Sequence, residues 1–137
     1  MFHSRMIGAN LLGAMMLLAF LSPASSHHSH ASYANDEEVN LTGTITEVRW
    51  LNPHVWVYMD IPDANGEMKN WALEGASVGE LIRKGWAQDS MKPGDRVSVR
   101  CWPLRDGSDG CLFGYVLSIN DVVMESDVPG RTGKEFD

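Results

Sequence analysis

From Thr42 to Asp60 the chain runs TGTITEVRWLNPHVWVYMD, two β-rich segments hinged on Asn52-Pro53-His54. In the second segment Val55, Val57, Met59 and Ile61 alternate with Trp56, Tyr58 and Asp60. That is the period of a strand with one face on a core. The first segment, Val39 to Trp50, is rich in Thr, Val and Ile and makes a long strand candidate. Leu41 and Ile45 share a parity that Val48 breaks, with Gly43 inside the run, so a bulge or sharp bend is expected. Asn52 at position i and Pro53 at i+1 suit a type I turn that places His54 at i+2. A chain built on a bent hairpin of this kind is committed to a sheet.

The rest extends that sheet. Pro62-Asp63-Ala64-Asn65-Gly66 is a loop whose Asn-Gly signals a hairpin, and Met68 to Glu74 is a third strand with Trp71 and Leu73 on one face. Ser77-Val78-Gly79-Glu80 is a capping box, with Ser at N-cap and Glu at N3. The helix it opens, Val78 to Lys84, is closed by Gly85 at C′. Lys92-Pro93-Gly94-Asp95 turns the chain into Val97, Val99 and Cys101, and the polar loop Trp102 to Gly110 returns it to Cys111, Phe113, Tyr115, Leu117 and Ile119. The order is β-β-β-α-β-β. It fits an all-β fold, a five-stranded OB-like barrel in which closure protects the edges. An open five-stranded sheet carrying one helix is the alternative.

Export follows from the N-terminus. Arg5 precedes an apolar run of 15 residues, Ile7 to Leu21, and then small residues from Ser22 to Ser26. This is the pattern of a secretory signal peptide over residues 1–26, too short and too interrupted to stay as a membrane span. Cleavage can follow Ala24, with Ser22 three back, or Ser26, with Ala24 three back; the second leaves 111 residues beginning at His27, enough for one small domain. A polar lead-in without periodicity, 27–38, precedes the domain at 39–120, and an acidic tail, 121–137, is expected to be disordered. With Arg5 removed, ten basic residues face 18 acidic ones and the net charge is −8, which argues against nucleic acid as a partner. In an exported chain the pair Cys101 and Cys111 reads as a disulfide. Closing that loop removes about 2.7 kcal/mol of unfolded-state entropy in the chain-entropy description.

Three constellations bear on function. Gly75-Ala76-Ser77-Val78-Gly79 matches G-x-S-x-G, but no histidine follows it, so Ser77 is a helix cap and no hydrolase is expected. Trp50, Trp56, Tyr58 and Trp71 are a candidate ligand face, as OB domains use aromatics for stacking. Histidine is the sharpest signal. His27, His28 and His30 fall within four residues, and His54 is the only other in the exported chain. Neutral imidazole suits zinc, copper and nickel, and a nitrogen-rich site favours copper. The new α-amine and His27 can chelate together, with Glu37, Glu38 and Glu74 as candidate oxygen ligands. The plain alternative is a solvated His-rich lead-in and an ordinary turn histidine.

Thr42-Gly43-Thr44-Ile45-Thr46 through Trp50, then Asn52-Pro53-His54, resembles the signature of a family of small exported bacterial domains of unknown function. Trp71-Ala72-Leu73-Glu74-Gly75, Gly85-Trp86 and Asp89-Ser90-Met91-Lys92-Pro93-Gly94-Asp95 fit the same pattern, so the resemblance covers Leu41 to Ile119. It implies a periplasmic location, an OB-like fold and a mature chain starting near His-His-Ser. It also implies an aromatic or apolar residue where His30 stands, which sets His30 apart from His27 and His28. It implies no activity. The expectation is a periplasmic, non-enzymatic binding protein taking a divalent metal, copper first, through His27, His28, His30 and His54. The competing expectation is a metal-free module that holds a small ligand or a periplasmic protein partner on the aromatic face or the Trp102–Gly110 loop.

Overall fold

The computed structural model describes residues 30–126 and 131–137. Five strands carry the architecture: β1 (Val39–Arg49), β2 (Trp56–Pro62), β3 (Met68–Glu74), β4 (Arg96–Pro103) and β5 (Gly110–Ile119). One helix, α1 (Val78–Arg83), lies between β3 and β4. The strands pair antiparallel in the order β3-β2-β1-β4-β5, and β3 returns to β5 in parallel through Ala72↔Gly110, Leu73↔Cys111 and Glu74↔Leu112. That last pairing closes the sheet into the expected barrel, so the central strands are left without a long open edge.

The bend foreseen in β1 is what makes closure work. Residues 39–44 pair with β4 and residues 44–49 with β2, with a bulge between Ile45 and Glu47. A side chain at Gly43 would collide with the Asp60 carbonyl, so the crossing requires glycine. Alternation in β2 buries Val57 and Met59 completely. They meet Leu73, Leu81, Val97, Val99, Phe113 and Val116 in one core cluster. Each such side chain contributes about 1.5–3 kcal/mol by leaving water. The capping box forms as expected: Ser77 Oγ accepts from the Glu80 amide at 3.3 Å and Glu80 Oε2 accepts from the Ser77 amide at 3.4 Å. Gly85, at φ +78°, ends the helix. Cys101 and Cys111 form the disulfide, both fully buried, with Cα atoms 5.8 Å apart.

Both chain ends depart from expectation. The lead-in is not a free segment from residue 30 onward. His30–Ser32 makes a 3₁₀ turn, Tyr33 bridges to Leu104, and Tyr33 and Ala34 are buried. The acidic tail is not outside the domain either. Two short strands, β6 (Val122–Val123) and β7 (Lys134–Glu135), pair with β5, and Phe136 is fully buried against Phe113 and Trp86. The physical reason is common to both. A segment can dock by a few backbone hydrogen bonds and one buried aromatic ring, and neither leaves a periodic pattern in sequence. The expected signal peptide, with His27 and His28, lies outside the described residues.

Candidate functional site

His54 stands at the end of the barrel where β2 begins. The type I turn expected there is not formed: the Asn52–Pro53 peptide is cis, and residues 52–53 make a bend. Two sets of hydrogen bonds hold the bend. Asn52 Oδ1 accepts from the Val78 amide at 3.2 Å, tying it to the first turn of α1. The Val55 amide donates to the Ala76 carbonyl at 3.0 Å and the Gly75 amide to the Val55 carbonyl at 2.8 Å, tying it to the chain just past β3.

The imidazole is therefore fixed beside Glu74 and Gly75. Nδ1 lies 3.1 Å from the Gly75 carbonyl oxygen and 3.5 Å from Glu74 Oε1. A carbonyl oxygen only accepts, so Nδ1 carries hydrogen, and in the neutral ring the lone pair is on Nε2. The side chain is about one-third exposed, at 34%. A histidine that ligates a metal through one ring nitrogen donates the other ring N–H in the same way.

Glu74 is the only charged side chain buried among the described residues, at 7% exposure. A carboxylate in that position is costly unless its oxygens find polar partners. Oε2 accepts the Tyr33 hydroxyl at 2.5 Å, and Oε1 faces His54. Burial pushes the Tyr33 hydroxyl far above the ordinary phenol range, and the Glu74 carboxylate pushes the same way. Tyr33 thus remains a donor across the physiological range.

The other site residues are distributed as follows. His30 opens the 3₁₀ turn three residues before Tyr33. Glu38 lies 3.8 Å from Arg100, and Glu37 lines a shallow opening of about 420 Å³ between the lead-in and the β4–β5 loop. His54 and Glu74 are thus the candidate ligands that the described structure brings together. No group of three or more His, Cys, Asp or Glu side chains able to hold a metal ion occurs among the described residues. The four aromatics do not share a face. Trp71 is paired with Met59 on the core side, and Trp50 also packs on the core. Trp56 and Tyr58 point the other way, and the Arg49 guanidinium covers the Tyr58 ring at 4.7 Å.

Residues 15–113 match the family model described as a family of unknown function, DUF6152. The chain belongs to DUF6152. The DUF6152 match takes in His27, His28, Tyr33, His54 and Glu74 and ends before the tail that carries Phe136. No curated protein and no solved structure matches the chain. Two residues of the site were not marked by sequence reasoning. Tyr33 is the lone aromatic in HHSHASYANDEE, and Phe136 is the lone large apolar residue of the last seven. An isolated ring in a polar stretch was the available signal for each.

Proposed function

We propose that this member of DUF6152 is a non-enzymatic periplasmic domain that binds a divalent metal, copper by preference, through His54 and the histidines of the lead-in, His27, His28 and His30. The observation that carries the reading is the His54 ring. Its Nδ1–H is committed to the Gly75 carbonyl with Glu74 alongside, which leaves the Nε2 lone pair of a ring about one-third exposed as the ligating atom.

The donor set fits only with the lead-in. His54 supplies one nitrogen, and copper or zinc needs at least two more for useful affinity. Tyr33 is joined to His54 across a single carboxylate, by contacts of 2.5 and 3.5 Å. His28 is five residues upstream of Tyr33. Five residues span at most about 18 Å, so the histidines have the reach to close over the ring. A docked lead-in also raises their effective concentration at His54 without any added contact.

The test begins with mass spectrometry of the exported form to fix its N-terminus. Copper(II) and zinc(II) are then titrated into that form and into His54→Ala. The expected result is copper binding tighter than about 10 μM (about −7 kcal/mol), weakened by the substitution. Weaker binding in the wild type would remove a specific metal role, and equal affinity in the two forms would confine binding to the lead-in.

A further inference from the structure

The two chain ends meet at one point of the barrel. Tyr33, from the lead-in, donates to Glu74 Oε2, and the Phe136 ring, from the tail, lies against Gly75, where any Cβ would approach it to 2.7 Å. Glu74 and Gly75 are also the two residues that His54 Nδ1 faces. The lead-in is held in register by the Ala34 amide on the Pro103 carbonyl at 2.8 Å and the Arg105 amide on the Ser32 carbonyl at 2.9 Å. An apolar side chain would fill the space of Glu74 without the cost of burying a charge. What the carboxylate adds is a bridge, one oxygen to the lead-in and one to the imidazole.

We propose that Tyr33 and Glu74 are positioning residues that couple docking of the lead-in to the orientation of His54, an inference that rests on the metal-binding reading above. Glu74 is not a ligand of the same ion in this arrangement. It lies on the Nδ1 side of the ring, and Nε2 is at the other edge. The Gly75 carbonyl takes the Nδ1–H at 3.1 Å, and Glu74 Oε1 stands 3.5 Å from the same nitrogen, so the carboxylate reinforces that outer-shell contact, and such contacts are worth about 10–100-fold in metal affinity. Tyr33 acts through Glu74: its hydroxyl fixes one carboxylate oxygen, which leaves the other facing the imidazole.

The experiment has a metal arm and a metal-free arm, both on the exported form. Copper(II) titration of Glu74→Gln is expected to show affinity lowered about 10–100-fold, and of Tyr33→Phe by a smaller factor, with neither change effective in a His54→Ala background. Electron paramagnetic resonance of the copper-loaded protein is expected to give the same ligand set in wild type and Glu74→Gln. A spectrum in which an oxygen ligand is lost would make Glu74 a ligand and overturn the assignment. Losses of equal size in the His54→Ala background would show a general structural effect and also overturn it. Without metal, both variants are expected to speed amide exchange at Ala34 and Arg105 and to shift the His54 ring ¹⁵N signals, while the Met59 amide remains protected. If the metal-free signals are unmoved, the coupling is wrong even where copper binds. If they move and the wild type binds no copper, the coupling stands and the metal reading fails. Tyr33→Phe removes one oxygen atom, so it keeps the test decisive if Glu74→Gln does not fold.

Discussion

The β1–β2 hairpin and the two chain ends make opposite contributions to this molecule. The hairpin supplies the barrel wall through side chains that alternate along its strands, Ile45 in β1 and Val57, Met59 and Ile61 in β2 foremost, each with a modest burial term. Each end supplies a single ring: Tyr33 onto Glu74, and Phe136 onto Gly75, Trp86 and Phe113. The hairpin makes a scaffold, and the lead-in and tail pack their rings where Glu74 and Gly75 meet His54. Backbone pairing explains how so little sequence does this. The Phe136 amide donates to the Gly114 carbonyl at 2.8 Å and the Ala76 amide to the Phe136 carbonyl at 3.2 Å, so the tail is stitched on both sides of its ring.

The strongest way to break the comparison is Phe136→Ala. A fully buried phenylalanine lost from a core costs about 3–5 kcal/mol, and chemical denaturation should register that loss. An unchanged denaturation midpoint would return the tail to the outside of the domain. Next in size is the Cys101–Cys111 bridge, on the scaffold side. Replacing both with alanine should cost about 2–3 kcal/mol, with the cooperative transition retained.

Tyr33→Phe should cost about 1.5–3 kcal/mol, the worth of a hydrogen bond to a buried charge. Its pH dependence separates it from packing. The folded state holds the Tyr33 proton more tightly than the unfolded chain does. The contribution is therefore complete below the unfolded phenol pKa of about 10 and is lost as pH rises through the raised folded value. Wild-type stability should fall more steeply above about pH 10 than that of Tyr33→Phe, and parallel alkaline limbs would contradict the contact.

Ser77→Ala is the smallest effect, about 1 kcal/mol through loss of the helix cap. The Ser77 hydroxyl, with its backbone amide, holds the Glu80 carboxyl below its ordinary value. That stabilisation is present above the unfolded Glu pKa of about 4 and is lost as pH falls through the lowered folded value. The variant should show a flatter acid limb in urea titrations, and an acid limb identical to wild type would refute the capping role.

What was legible in the sequence follows the same division. Period-2 alternation marked β2, Gly43 and the parity slip marked the bend in β1, and the Ser77–Glu80 spacing marked the helix start. Each is a local rule acting over a few residues. The site depended on non-local facts. Alternation assigns faces within one strand, but the Met59↔Trp71 register is what parts Trp71 from Trp56 and Tyr58. Glu74 was readable as a carboxylate at a strand end, and its burial follows only once β3 pairs with both β2 and β5. Tyr33 and Phe136 carry no period at all. Their positions are set by edges that exist only after the barrel has closed.

The most direct test of the central claim, that the lead-in and His54 serve one metal ion, is a double-mutant cycle. Copper affinity is measured, in the chain beginning at His27, for wild type, His28→Ala, His54→Ala and the double variant. Ligands of one ion are coupled, so the double loss should differ from the sum of the single losses by at least about 1 kcal/mol. Strict additivity, or a His54→Ala affinity equal to wild type, would place His54 outside the metal site.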